Sequence, residues 1–315
     1  MDSIFNKSVN NSIFTESILR YKGFDMQNTN RQDKIDFTRR ASFAKFASIS
    51  ALSIGALAST KLNAETIEEA EEKTRKQNYT NINPLYVDSE KMLLPKTQMK
   101  LKKDSVGLVV VNPQIDFLSP KGMGWSMYGA SIKENNTIEN IGMLFRVAKA
   151  LRIPTFVSYI VWNSQDLKTM PHTPIKNFMR GTKFAYGNGK GLNANDIEQS
   201  GADFLPEYKP FILDDKTILT TPRKDFGLKG SDLTMQLRIS GIKQVVLCGM
   251  DANTHLDSHL RDLLAEGFDV GIVRDATAGA KLPEGDGYLA GLINFRFIAN
   301  ELFFTQDIVQ RLQNL

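Results

Sequence analysis

The chain has 315 residues, 42% hydrophobic and 23% charged, which is enough for one sizeable domain with an extension. Its net charge is +4, with basic residues scattered or gathered near the amino end, so no nucleic-acid-binding stripe is present. The single cysteine, Cys248, excludes an intrachain disulfide, so the core alone must hold the fold.

At the amino end, Thr38 to Ala58 reads TRRASFAKFASISALSIGALA, with Arg39 and Arg40 ahead of about fifteen small or apolar residues, the layout of an export signal. A bilayer-spanning helix needs about 20 apolar residues, and Ser48, Ser50, Ser53 and Gly55 dilute this run further. Arg39-Arg40 with Phe43 and Lys45 resembles a twin-arginine signal, although the aromatic stands one residue late, which leaves the general secretory route open. Ala56 and Ala58 suit a signal peptidase, so the mature protein is expected to begin near Ser59 and to be periplasmic or otherwise exported, meeting a membrane only through an uncleaved signal. Met26 begins a more typical polar lead and is an alternative start. Residues 1–60 therefore read as an export region, 61–101 as a charged linker and extended arm, and 102–315 as the folded domain.

The domain opens on Val106 to Val111, a β-branched run ended by Asn112-Pro113, which fits a parallel strand buried on both faces. Apolar residues at Ile138, Ile141, Leu144, Phe145, Ala148 and Leu151 predict an amphipathic helix over Ser131–Leu151, leading into a strand over Pro154–Val161. After a long irregular stretch, strands are expected at Thr217–Thr221, Gln244–Gly249, Asp269–Arg274 and Leu302–Phe304. Helices are expected at Ser231–Ser240, Asn253–Glu266, Tyr288–Ala299 and Asp307–Leu312. This sustained alternation predicts an α/β fold with a doubly wound, mostly parallel sheet. In such a sheet ligands bind at the carboxyl ends of the strands, and His255 falls there, just past the strand that breaks at Gly249.

Three separated motifs stand at three predicted strand ends: VVNPQIDFLS at 110–119, TTPRKDF at 220–226 ahead of GSDL at 230–233, and GMDAN at 249–253 before a helix and VRDA at 273–276. Together they resemble the isochorismatase-like cysteine hydrolases, the superfamily of isochorismatases, nicotinamidases and carbamoyl amidases. The resemblance implies a six-stranded sheet of order 3-2-1-4-5-6 in a three-layer α/β/α arrangement, a site above it, no cofactor, a small-molecule ligand or substrate, and often a homo-oligomer. It also implies a cis peptide at Met250-Asp251.

In that family an Asp after the first strand acts as base, a Lys after the third helps activate the nucleophile, and a Cys after the fourth attacks an amide or similar carbonyl. A thiol is only a few per cent thiolate at neutral pH, so it needs a base, a positive charge and N–H donors for the oxyanion. Here the Asp position is Asn112 and the Cys position is His255. The Lys position maps to Lys224, or, with a longer loop, to Pro222 or Thr220. Isochorismatases proper also lack the Cys but keep the Asp as proton donor, so Asn112 closes that route as well. The expectation is a pseudoenzyme, set against an altered hydrolase in which His255 activates a water while Lys224 or Asn112 polarises the substrate.

Gln114, Phe117, Trp125, Met250, Asp251 and Thr254 are candidates for the pocket and its oxyanion-binding wall, with Tyr128 beside Trp125 either lining the pocket or covering an edge. His255 and His259, spaced i, i+4 near Asp251, are weak metal candidates, and no metal is expected. Cys248 should be packed inside the sheet, and Asp116 and Asp275 should hold turns.

Overall fold

A computed structural model describes residues 83–89, 91–188 and 194–315, so the export region and most of the linker lie outside the described residues. The described residues form eight strands: β1 (Val106–Val111), β2 (Thr155–Ser158), β3 (Thr217–Leu219), β4 (Gln244–Met250), β5 (Asp269–Ala278), β6 (Lys281–Leu282), β7 (Gly285–Asp286) and β8 (Glu301–Phe303). Six of them form one parallel sheet of order β3-β2-β1-β4-β5-β8, the predicted winding. The sixth sheet strand is β8 because a small antiparallel hairpin, β6–β7, intervenes after β5.

The central strands bury both faces, as their continuous β-branched runs require. Their side chains alternate with the pleat: Leu108, Val110, Val246 and Cys248 face one layer, while Val109, Val111, Val245 and Leu247 face the other. The first layer contains α1 (Trp125–Glu134), α2 (Thr137–Leu151) and α7 (Thr305–Gln313), and the second α4 (Leu233–Ile239), α5 (Asp257–Ala265) and α6 (Gly287–Ile298). A further surface helix, α3 (Pro174–Thr182), lies in the stretch read from sequence as irregular. Cys248 is fully buried, and that burial pushes its thiol well above the ordinary range, so it is unreactive.

Two local readings are corrected. The single helix expected over Ser131–Leu151 is two helices, because Asn136 takes a left-handed conformation (φ 53°) that Asn tolerates, and Asn135 turns its amide back onto the Ser131 carbonyl. The β2 strand stops at Ser158 rather than Val161, since Gln114 exchanges hydrogen bonds with both the N–H and C=O of Ile160.

The last part of the arm is tied to the domain. Tyr86 is buried against Tyr288 (ring centres 4.4 Å apart), its hydroxyl donates to Asp286 at 2.6 Å, and its carbonyl accepts from Arg274 and Arg296. The Asp88 carboxylate bridges the same two arginines at 2.9 and 2.8 Å.

At the end of β5, Asp275 accepts from the N–H and hydroxyl of Thr305, both at 2.8 Å, and so fixes the start of α7. Burial nevertheless dominates and raises its pKa to about 6. A carboxyl raised in the folded state favours folding when protonated, and this contribution is lost as pH rises through 6. Asp275→Asn keeps an acceptor for Thr305 and removes the charge. It is expected to be about 1–3 kcal/mol more stable than wild type at about pH 8, with the gap closing by about pH 4. Urea unfolding at the two pH values checks this, and a variant weaker than wild type at the higher pH contradicts it.

Candidate active site

The site is built where β1 and β4 end side by side. Gly249, at φ +113°, lies so close to β1 that a Cβ there would stand 2.0 Å from the Val111 carbonyl oxygen, so only glycine fits. The next peptide, Met250-Asp251, is cis, as the resemblance implied. The Met250 carbonyl accepts from Asn112 Nδ2 at 2.8 Å. Asn112 itself sits in the left-handed region (φ 47°), fully buried. Its Oδ1 accepts from Arg223 Nη2.

Arg223, also fully buried, organises the interior of the site. Its Nε donates to Ser158 Oγ at 2.8 Å, and its Nη1 to the carbonyls of Asp225 and Phe226 at 2.7 and 3.2 Å. Burial pulls its pKa down to about 9, partly offset by Asp225 and Asp251, so the guanidinium stays charged at neutral pH. Among the described residues no carboxylate lies within ion-pair distance of it; its side-chain partners are the neutral Asn112 and Ser158. Ser158 Oγ lies 2.9 Å from His259 Nε2, and His259 Nδ1 lies 2.7 Å from the His255 carbonyl. A carbonyl only accepts, so Nδ1 carries the hydrogen and Nε2 accepts from Ser158. Both nitrogens of His259 are therefore occupied by protein partners, and burial holds the ring neutral.

His255 lies in a widened π-helical turn, Ala252–Leu256, that precedes α5. Asp251 caps this turn by accepting the His255 N–H at 3.2 Å, and the same oxygen lies 2.6 Å from His255 Nδ1. Thr254 Oγ1 donates to that oxygen too, and Tyr128 donates to the other at 3.2 Å. Burial pushes the Asp251 carboxyl up, but these bonds, His255 first, outweigh it and hold it below the usual range. Burial of His255 wins over the pull of Asp251 and lowers the imidazole pKa. The pair is thus a carboxylate and a neutral imidazole with its hydrogen on Nδ1, which leaves His255 Nε2 as a bare acceptor; it is buried and unpartnered among the described residues. Phe117 and Phe226 set their rings edge-on to the imidazole at 5.4 and 5.1 Å. With His255 at 1% exposure and Asp251 at 2%, the cluster is closed to solvent.

The structure brings together Asn112, Phe117, Met250, Asp251, Thr254 and His255 from the sequence reading. It adds Arg223, Ser158 and Phe226, and of the two open alternatives for Tyr128 it takes the one inside the site, with the hydroxyl bonded to Asp251. Lys224 does not join them: its ammonium is bonded to the Val161 carbonyl and to Asp166, and it is 41% exposed. The cation beside Asn112 is Arg223. Gln114 ties loops together, donating to Ile160 and Ala202, and Trp125 packs partly buried against the core with the Lys133 ammonium over its ring. Asp116 accepts from the N–H groups of Met123 and Ala185 and so holds the loop after β1. His172 is exposed beside Asn177 and Arg180.

Sheet order and site placement define a doubly wound α/β protein with a closed polar cluster at the carboxyl ends of β1 and β4. The family model for the isochorismatase domain matches residues 106–294, and the chain belongs to the isochorismatase family. Among solved structures it is similar to a cysteine hydrolase from Pseudomonas syringae pv. phaseolicola 1448A, with TM-score 0.58 and 13% identity over 71% of this chain and 99% of that one. It is also similar to an isochorismatase family protein from Desulfovibrio vulgaris subsp. vulgaris str. Hildenborough, with TM-score 0.51 and 16% identity over 67% of this chain and 99% of that one. At these identities the likeness shows the fold alone. No curated protein matches the chain in sequence.

Proposed function

We propose that this is an exported isochorismatase-family protein that has lost the family's cysteine mechanism and acts as a pseudoenzyme, through ligand binding or assembly. The observation that carries the reading is the bonding of Asn112. Its amide donates to Met250 on one side and accepts from Arg223 on the other, which an ionised carboxylate in a proton-shuttling role does not do. A nucleophilic thiol is absent from the place that would hold one, which belongs to His255. Assembly as a homo-oligomer is supported by the apolar outer face of α6, where Ile293 and Phe297 are 46% and 62% exposed beside Leu93 and Leu94 of the arm.

A ligand that binds without being consumed stabilises the folded state in proportion to the logarithm of its saturation. Small amides, carbamates and aromatic acids are to be screened by thermal shift, and each binder recovered and analysed. A binder recovered unchanged supports the proposal; one that is hydrolysed overturns it. Export has its own test. A tagged protein is expected outside the cytoplasm and shortened to about Ser59, and the paired Arg39→Lys, Arg40→Lys variant is expected to be retained; full-length cytoplasmic protein in both cases contradicts the signal reading.

A second reading is favoured by the Asp251–His255 pair, whose free Nε2 is arranged as a general base. In it, His255 takes a proton from a water while Arg223 or Asn112 polarises a small amide or carbamoyl substrate. Lys224, held by Asp166, is not placed for that role.

A further inference from the structure

The rim of the closed site already holds a cation. Lys176, on the first turn of α3, is only 8% exposed. Its Nζ stands 5.7 Å from the Trp162 ring centre and 5.5 Å from that of Phe226, with an Asp225 carboxylate oxygen at 3.5 Å. Two aromatic faces and a carboxylate around one ammonium group are the elements by which alkylammonium ligands are recognised. Phe226 is shared between this corner and the closed site, since its other neighbour is the His255 ring at 5.1 Å.

Two buried polar atoms of the residues packed around Phe226 and Lys176 have no partner among the described residues: Trp162 Nε1, a donor, and His255 Nε2, an acceptor. Trp162 is 3% exposed and His255 1% exposed, so neither atom is compensated by bulk water. The corner does reach solvent, because the Asp225 side chain is 49% exposed. Its charges point the same way. Arg223 and Lys176 together balance Asp225 and Asp251, so withdrawal of the long Lys176 side chain leaves one net negative charge for an incoming cation to neutralise.

We propose that this corner is a binding site for a small primary ammonium ligand bearing an oxygen acceptor, with Lys176 as the resident occupant that the ligand displaces. The assignment names the ligand class for the site that the preceding section reads as binding rather than catalytic. An ammonium group brings N–H donors, of which His255 Nε2 accepts one, and the ligand oxygen accepts from Trp162 Nε1. Trp162, Phe226 and Asp225 supply the faces and the counter-charge.

The test titrates the full chain with ethanolamine at neutral pH, followed by calorimetry and tryptophan emission, with ethylene glycol as the neutral match. Wild type is expected to show saturable binding of ethanolamine and none of ethylene glycol. Lys176→Met keeps an apolar stem and removes the competing charge, so affinity is expected to rise about tenfold; Asp225→Asn is expected to lower it about tenfold. Circular dichroism establishes that both variants are folded. The proposal is overturned if neither wild type nor Lys176→Met gives a saturable signal, if ethylene glycol gives the same response, or if Asp225→Asn binds as wild type does. Ammonia release from an amide, measured in parallel, would remove the non-catalytic reading while leaving ethanolamine binding to stand or fall on its own signal.

Discussion

Asn112→Asp combined with His255→Cys is expected to release ammonia from a small amide about a hundredfold faster than wild type, while each single variant stays at background. A nucleophile without its base and a base without its nucleophile are both nearly idle, so the two substitutions act as a unit. The surroundings favour the pair. Arg223 Nη2 already faces residue 112 and would supply the positive charge that lowers a thiol's pKa. Replacing imidazole by a thiol also frees space between Phe117 and Phe226, the rings that now flank His255. Alkylation of residue 255 reports whether the thiolate has formed. A double variant that folds, alkylates rapidly and still releases no ammonia would mean that the pocket, and not only its reacting groups, has diverged.

Arg223→Met is expected to lower stability by about 3–5 kcal/mol through the acceptors it leaves unsatisfied. The guanidinium is fully buried and holds four acceptors: Asn112 Oδ1, Ser158 Oγ and the carbonyls of Asp225 and Phe226. A thioether of similar length fills the space and leaves all four without their donor. Arg223→Lys keeps the charge but cannot fork, so it is expected to recover less than half of the loss. Denaturant unfolding of the three proteins decides it. A Met variant within about 1 kcal/mol of wild type would show that Asn112 and Ser158 find other partners, on the ~1–3 kcal/mol scale of an unsatisfied buried group.

Much of the fold was legible because its strands carry continuous β-branched runs and its helices carry apolar residues at three and four. The turn at Gly249 and the place of His255 were legible for the same reason, as a strand end meeting a helix start. The identity of the buried cation was not. Arg223 and Lys224 are adjacent, and hydropathy gives both to solvent. What turns Arg223 inward is that its N–H continues the pairing beyond β2, onto the Tyr159 carbonyl, and that its acceptors come from β2, its own loop and the residue that follows β1. No local pattern encodes such a convergence. The Asp251–His255 pair stands in plain sight at i, i+4, yet its meaning depends on the widened turn that brings Nδ1 to the carboxylate, while the i, i+4 spacing that draws attention in the sequence is that of His255 and His259, as metal candidates. The break at Asn135–Asn136 was missed because the apolar periodicity runs on through it.

The most direct test of the claim that the cysteine mechanism has been lost without replacement is ammonia release from small amides by wild type and His255→Ala, measured from about pH 5 to about pH 9, a span that brackets the ordinary imidazole range. The account predicts that both stay at the level of buffer across the range. Turnover by wild type that rises as His255 loses its proton, and that disappears in His255→Ala, would contradict it and establish the Asp251–His255 pair as a working general base.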